Sequence, residues 1–356
     1  VSLALAFIGA QFIVSSPRPK DLEVVQLKTQ QPPFFEGVFR TEDYLSKEVI
    51  LKDPITNVRG KPLIPAISNV GPHDILGFRN LAVPRTTDVV VLGDSQTYGI
   101  NVSLDQNWPT IFSRFTHLKV YSMAFGGWAA PQYISLIEKA LALQPKIVVL
   151  AIYLGNDALE SFRTVYTHEY WKLLRQTSLK IEDAPEMLFP PPADTQISLP
   201  ISSDREFVFT PTLRMKSLDV HDAVIAEGFR IILQSMQEIA QKVHATKRQL
   251  IIAVIPVKES VYRERIFHAI PSNEIPKSLS DLWNAEEHWR KYLESASHNL
   301  PATSFIDLTP ALQGCAERDP YTYPPDHDGH PLEEGYKCIA QEITRVLTVK
   351  TGHIEN

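Results

Sequence analysis

The chain has 356 residues, of which 44% are hydrophobic and 21% charged, with a formal net charge of −6. That is the balance of an ordinary globular protein, long enough for one large domain with insertions or two small ones. No long basic run is present, which speaks against nucleic acid binding through phosphates.

Residues 1–16 carry no charge. They read as a membrane anchor or the remnant of a signal-anchor, short of the roughly 20 apolar residues of a full span. The plainer alternative is a buried N-terminal helix. Residues 17–84 read as a linker and lead-in segment, first interrupted by Pro32-Pro33 and Phe34-Phe35, then proline-rich up to Asn80. This irregular stretch is expected to pack onto the main domain, placed at 85–350, and to help wall its site.

From there the pattern alternates. The apolar run Val89-Val90-Val91-Leu92 predicts a strand over 88–93, followed by a helix near 108–116. A strand over 118–123 precedes a helix near 131–143, where Tyr133, Leu136, Ile137, Ala140 and Leu141 recur at helical spacing. A third strand is expected over 146–153. Residues 158–218 break the rhythm, aromatic-rich at first and later carrying Phe189-Pro190-Pro191-Pro192, and read as an insertion or cap. A long helix near 222–243, a strand over 249–255, a helix near 279–297, a strand over 303–308 and a helix near 333–347 complete the order. Strands alternating with helices predict an α/β fold, a three-layer α/β/α sandwich around a central parallel sheet, with an insertion after the third strand.

Four segments carry chemistry. Gly93-Asp94-Ser95-Gln96 closes the first core strand and sets a small hydroxyl at a tight turn. Phe125-Gly126-Gly127-Trp128, with Gln132 close behind, closes the second, and Gly155-Asn156-Asp157 closes the third. Asp326-His327-Asp328-Gly329-His330 precedes Gly335-Tyr336 and the last helix. In open parallel sheets ligands bind beyond the carboxyl ends of the strands. Each segment alone has a plain reading as a turn or a loop. Their order, Ser, Gly, Asn, Asp/His, resembles the SGNH hydrolase superfamily, the GDSL-like esterases and acetyl-transfer enzymes, over roughly residues 85–347.

The resemblance implies a catalytic Ser95 with His330 as its general base, and an oxyanion hole formed by the Ser95 and Gly127 backbone N–H groups and the Asn156 side-chain amide. The carboxylate that orients the imidazole is less fixed. The commonest family spacing puts Asp three residues before His, and that position is His327. Asp328, two residues before, is favoured from relatives with an Asp-x-His spacing, with Asp326 as the alternative. Gln96 stands where the family commonly has leucine.

The implied reaction is ester hydrolysis or O-acyl transfer through an acyl-serine, on O-acetyl esters of a cell-envelope or exported carbohydrate. No cofactor and no metal is expected, although Asp326, His327, Asp328 and His330 together have the donor types of a cation site. By the same resemblance the protein is expected to be membrane-anchored through its N-terminal segment, with a periplasmic or extracytoplasmic catalytic domain and a membrane protein as possible partner. A catalytically weak accessory or binding subunit on the same fold is a competing reading, and a lysophospholipase or thioesterase a further one. Cys315 and Cys338 bracket the Asp/His segment and are either bridged, as an oxidising compartment would allow, or two buried thiols. Asn101-Val102-Ser103 matches a glycosylation acceptor and is read as coincidence.

Overall fold

A computed structural model describes residues 49–67 and 69–351. The anchor expected at 1–16 and most of the linker lie outside the described residues. Among the described residues, no helix is long and apolar enough to cross a membrane.

The described chain opens with an antiparallel hairpin, β1 (Ile50–Asp53) and β2 (Asn57–Gly60). Then come β3 (Val89–Gly93), the single turn α1 (Ser95–Tyr98), α2 (Trp108–Thr116), β4 (Val120–Ala124), α3 (Ala130–Ala142), β5 (Ile147–Tyr153) and α4 (Asp157–Thr167). An irregular stretch holds the hairpin β6 (Ile197–Leu199) and β7 (Phe207–Phe209) and ends in α5 (Pro211–Met215). The chain resumes with α6 (Ala223–Ala245), β8 (Gln249–Ile255), α7 (Lys258–Val261), α8 (Arg263–Ala269), α9 (Lys277–Ser297), β9 (Thr303–Asp307), α10 (Thr309–Arg318) and α11 (Glu333–Thr351).

The central sheet is parallel, in the order β4-β3-β5-β8-β9. Its middle strands are near-continuous apolar runs, buried along almost their whole length, as a sheet covered on both faces requires. Helices α2, α10 and α11 pack together in one layer, and α3, α4 and α6 in another, with α9 along β9. The three-layer α/β/α order expected from the sequence is therefore present.

The structure adds elements the pattern did not announce. Helix α4 opens the segment read as an insertion, yet Leu159, Phe162 and Val165 are wholly buried and α4 packs on α6. It belongs to the helical layer, and the irregular chain runs from 168 to 218. The lead-in segment is part of the core as well. Ile64, Val70 and Phe78 join the main apolar cluster, and the Trp128 indole N–H donates to the Val58 carbonyl at 2.7 Å. Cys315 and Cys338 are bridged, tying α10 to α11 with 6.5 Å between their Cα atoms.

Candidate active site

The chain runs from β3 to β4 on one side and then to β5 on the other, so the crevice beyond the ends of β3 and β5 is the point where the winding reverses. Ser95 begins α1 directly after β3. The Asp94 carboxylate caps this turn by accepting from the Gln96 backbone N–H at 2.9 Å. Gly127 follows β4 and Asn156 follows β5, so three of the expected residues stand at the ends of three neighbouring strands.

Ser95, His330 and Asp328 meet, although more than two hundred residues separate the serine from its partners. The Ser95 hydroxyl lies 2.9 Å from His330 Nε2, and His330 Nδ1 lies 2.6 Å from Asp328 Oδ1. An Nδ1–H donating to the carboxylate leaves Nε2 as the acceptor for the serine proton. Asp328 Oδ1 also accepts from the His330 backbone N–H at 2.9 Å. This local turn is what lets a spacing of two residues bring the carboxylate back onto its own histidine ring. Asp326 is used otherwise: its Oδ1 accepts from the Asp328 backbone N–H at 2.9 Å, which shapes the loop without touching the imidazole.

The charges around Ser95 are uneven. Burial acts to raise the Asp328 carboxyl, but His330 beside it and the hydrogen bonds from His330 and Asn101 outweigh burial and hold it well below the usual carboxylate range. Asp94 goes the other way. Burial pushes it up to about 6, against the opposing pull of His330. Its Oδ2 is a second acceptor for the Ser95 hydroxyl, at 3.3 Å, longer than the approach to His330. Behind it Asp157 is raised well above the usual carboxylate range, by burial first and then by Asp94.

Two side chains that the sequence did not single out for this role hold the histidine loop to the nucleophile segment. Gln96 Nε2 donates to the Gly329 carbonyl at 3.1 Å. Asn101 Nδ2 donates to Asp328 Oδ2 at 2.9 Å and to the His330 carbonyl at 3.3 Å. The only sequence signal for Asn101 was its place in a glycosylation pattern, and an amide nitrogen committed to these two acceptors is unsuited to carrying a sugar. Asn101 is itself anchored from the lead-in segment. Asn69 Nδ2 donates to the Asn101 carbonyl at 3.0 Å, and the buried Arg79 donates to the carbonyls of Asn69, Gly71, Tyr98, Gly99 and Val102. The lead-in segment thus braces the site from behind.

From the other flank, Lys258 after β8 gives its ammonium group to the carbonyls of Val208, Pro324 and Asp326 at 3.1, 2.6 and 2.5 Å. Burial pushes its pKa down to about 8. The Val208 N–H donates to the Pro325 carbonyl at 2.7 Å, so the β6–β7 hairpin is fastened to the same loop.

The donors expected for an oxyanion are uncommitted. Among the described residues, the Ser95 and Gly127 backbone N–H groups and the Asn156 side-chain amide donate to no protein acceptor. Gly127 is exposed with φ +73°, a left-handed conformation that suits glycine, whereas Gly126 is buried. No group of three metal-ligating side chains occurs among the described residues.

No family model matches the chain, and no curated protein matches it. Among solved structures it is similar to the psychrotrophic esterase EstA from Pseudoalteromonas sp., at 9% identity and TM-score 0.39, covering 74% of this chain and 98% of that one. It is similar to a carbohydrate esterase family 2 enzyme from Corynascus thermopiles (Myceliophthora fergusii), at 10% identity and TM-score 0.38, covering 74% and 66%. It is also similar to the salicylyl-acyltransferase SsfX3 from a tetracycline biosynthetic pathway, at 9% identity and TM-score 0.37, covering 75% and 56%. At these values the likenesses assign no residue a role; the roles rest on the geometry above.

Proposed function

We propose that the protein is a serine-dependent ester hydrolase or O-acyltransferase working through an acyl-Ser95 intermediate. The observation that carries this reading is the continuous relay from Ser95 Oγ to His330 Nε2 and from His330 Nδ1 to Asp328 Oδ1. His330 takes the Ser95 proton as Oγ attacks the ester carbonyl, and Asp328 steadies the resulting imidazolium. The carbonyl oxygen gains negative charge, and the uncommitted N–H groups of Ser95, Gly127 and Asn156 are its donors. The intermediate collapses, His330 gives the proton to the departing alcohol oxygen, and the acyl group stays on Ser95. Water or a second hydroxyl then attacks the acyl carbon, losing its proton to His330, and Ser95 is restored.

As substrate we favour O-acetyl esters of a cell-envelope or exported carbohydrate, with a membrane-anchored catalytic domain outside the cytoplasm. This finer reading is supported by the family resemblance of the four segments and by the uncharged residues 1–16. The Cys315–Cys338 bridge also suits an oxidising compartment.

The test is a fluorophosphonate serine probe read by intact mass, with Ser95→Ala and His330→Ala alongside. One adduct on the wild type that both substitutions abolish is the expected result. A folded wild type that takes no label would refute an activated Ser95 and favour the accessory-subunit reading.

A further inference from the structure

The described chain buries three cations near the site, and they differ in what they hold. Arg79, 1% exposed, gives five hydrogen bonds to main-chain carbonyls. Lys258, 1% exposed, gives three. Arg214, 6% exposed, gives none from its side chain, and its Nε is buried without a partner. It also takes part in no ion pair among the described residues. Glu259 and Asp328 both act on it electrostatically, but neither bonds it: Glu259 Oε2 is buried without a partner, and their other oxygens are used elsewhere. Glu259 Oε1 accepts from the Thr210 N–H and hydroxyl, and both Asp328 oxygens are taken by His330 and Asn101.

Arg214 sits on α5, in the segment that leads from the β6–β7 hairpin back to α6. Its guanidinium lies against Gly329, one residue before His330. A Cβ on Gly329 would overlap Arg214 Nη2 and come 3.2 Å from the Tyr153 hydroxyl, so both groups face the same side of the histidine loop. The Tyr153 and Tyr323 hydroxyls are buried and, like Arg214, unpartnered. Unmade hydrogen bonds of this kind each cost about 1–3 kcal/mol. Their gathering beside a reactive loop marks donors held ready for an acceptor brought in from outside.

We propose that Arg214, with the Tyr153 hydroxyl, forms a carboxylate subsite beside His330, and that the ester substrate carries a carboxylate near its scissile bond. A guanidinium presents paired N–H donors matched to the two oxygens of a carboxylate, and a phenol adds a third donor. In a carbohydrate ester such a group is supplied by an acylated uronic acid; in a small ester it is supplied by a dicarboxylic acid esterified at one end. The proposal rests on the serine-esterase reading for its substrate, not for the existence of the subsite.

The experiment measures binding apart from turnover. Ser95→Ala protein is titrated calorimetrically with a methyl O-acetyl-glucuronoside and with the matching O-acetyl-glucoside, then with the mono- and dimethyl esters of glutaric acid. An anionic member of either pair binding about tenfold tighter than its neutral partner is expected, and the pair showing it tells which part of the ester bears the carboxylate. Arg214→Gln in the same background removes the preference, and Arg214→Lys keeps part of it with a melting temperature near the parent's. Equal affinity within both pairs, no measurable binding of any of the four, or a preference that survives Arg214→Gln overturns the subsite. Fluorophosphonate labelling of the wild type reports on Ser95 separately. Labelling without a preference sinks the subsite alone, and a preference without labelling sinks the serine-esterase reading alone.

Discussion

Replacing Asn101 by alanine tests whether the site works as a relay of four groups and not three. Asn101 touches neither Ser95 nor the imidazole ring; it reaches them through Asp328 Oδ2, at 2.9 Å, and the His330 carbonyl, at 3.3 Å. A hydrogen bond to an ionised partner contributes roughly 1.5–3 kcal/mol. If most of that is felt when the imidazolium forms, kcat should fall roughly 10- to 100-fold with KM nearly unchanged. The decisive assay is a double-mutant cycle with Asp328→Ala, read as the rate of fluorophosphonate labelling and as kcat on 4-nitrophenyl acetate. Asn101 acting through Asp328 costs much less on the Asp328→Ala background, because the group it positions is gone. Equal losses on both backgrounds, or a loss matched by an equal fall in stability, would refute the reasoning.

Three further outcomes follow from the same geometry. Asp328→Asn should lower kcat by about 10,000-fold, because an amide there favours the wrong imidazole tautomer, while Asp326→Asn should cost far less; similar losses would mean that the loop exchanges its aspartates during turnover. Cys315→Ser with Cys338→Ser should lower unfolding free energy by about 3 kcal/mol in urea, by the chain-entropy relation for a 23-residue separation, and leave Ser95 labelling largely intact. Stability should decline as pH rises from 4 to 7. Burial raises Asp94 to about 6, Glu286 to about 7 and Asp157 well above its usual value, so the folded state keeps protons that the unfolded chain gives up. Each pH unit over which one such proton is retained costs about 1.4 kcal/mol. Asp328 has the opposite sign: its stabilising contribution is present above about pH 4, the usual aspartate range, and is lost on further acidification. Asp157→Asn should flatten the decline above the usual aspartate range, and parallel wild-type and variant curves would count against a raised Asp157.

Much of the sheet was legible because its strands are apolar runs of five to seven residues that only a doubly covered sheet can bury. Helices α3 and α6 showed themselves by period. Helix α4 did not, because Gly155-Asn156-Asp157 reads as turn chemistry and aromatic residues crowd the stretch beyond it. Yet Leu159, Phe162 and Val165 recur at a spacing of three, which is a helical interval. The β1–β2 hairpin escaped because each strand has four residues and its support is distant: the Thr56 carbonyl accepts from Gln132, and the Val58 carbonyl from Trp128. In the site, Ser95 and His330 could be named from their segments. Asp328 was favoured over Asp326 through the Asp-x-His spacing of relatives, but the turn in which its carboxylate accepts from the His330 backbone N–H and meets the ring was not legible. Asn101 was beyond reach because its partner is 227 residues away.

The manner in which the loop is held explains how an Asp-x-His spacing can serve. A carboxylate two residues from its histidine can close onto the ring only if the backbone between them turns tightly, and such a turn leaves its carbonyls without partners within the loop. Those carbonyls are taken from outside: Gly329 by Gln96, His330 by Asn101, Pro324 and Asp326 by Lys258. The donors come from two places on the sheet's carboxyl edge, Gln96 and Asn101 from the segment after β3 and Lys258 from the segment after β8, so the loop's shape belongs to the fold and not to its own five residues. Gln96, where the family that the four segments resemble commonly has leucine, then has a physical reason. A leucine there would fill the space but leave the Gly329 carbonyl unbonded beside the histidine it carries. The same economy isolates Arg214. Arg79 and Lys258 spend their donors on main-chain carbonyls, whereas the Arg214 side chain gives no hydrogen bond among the described residues, which is why the proposed subsite is placed on it.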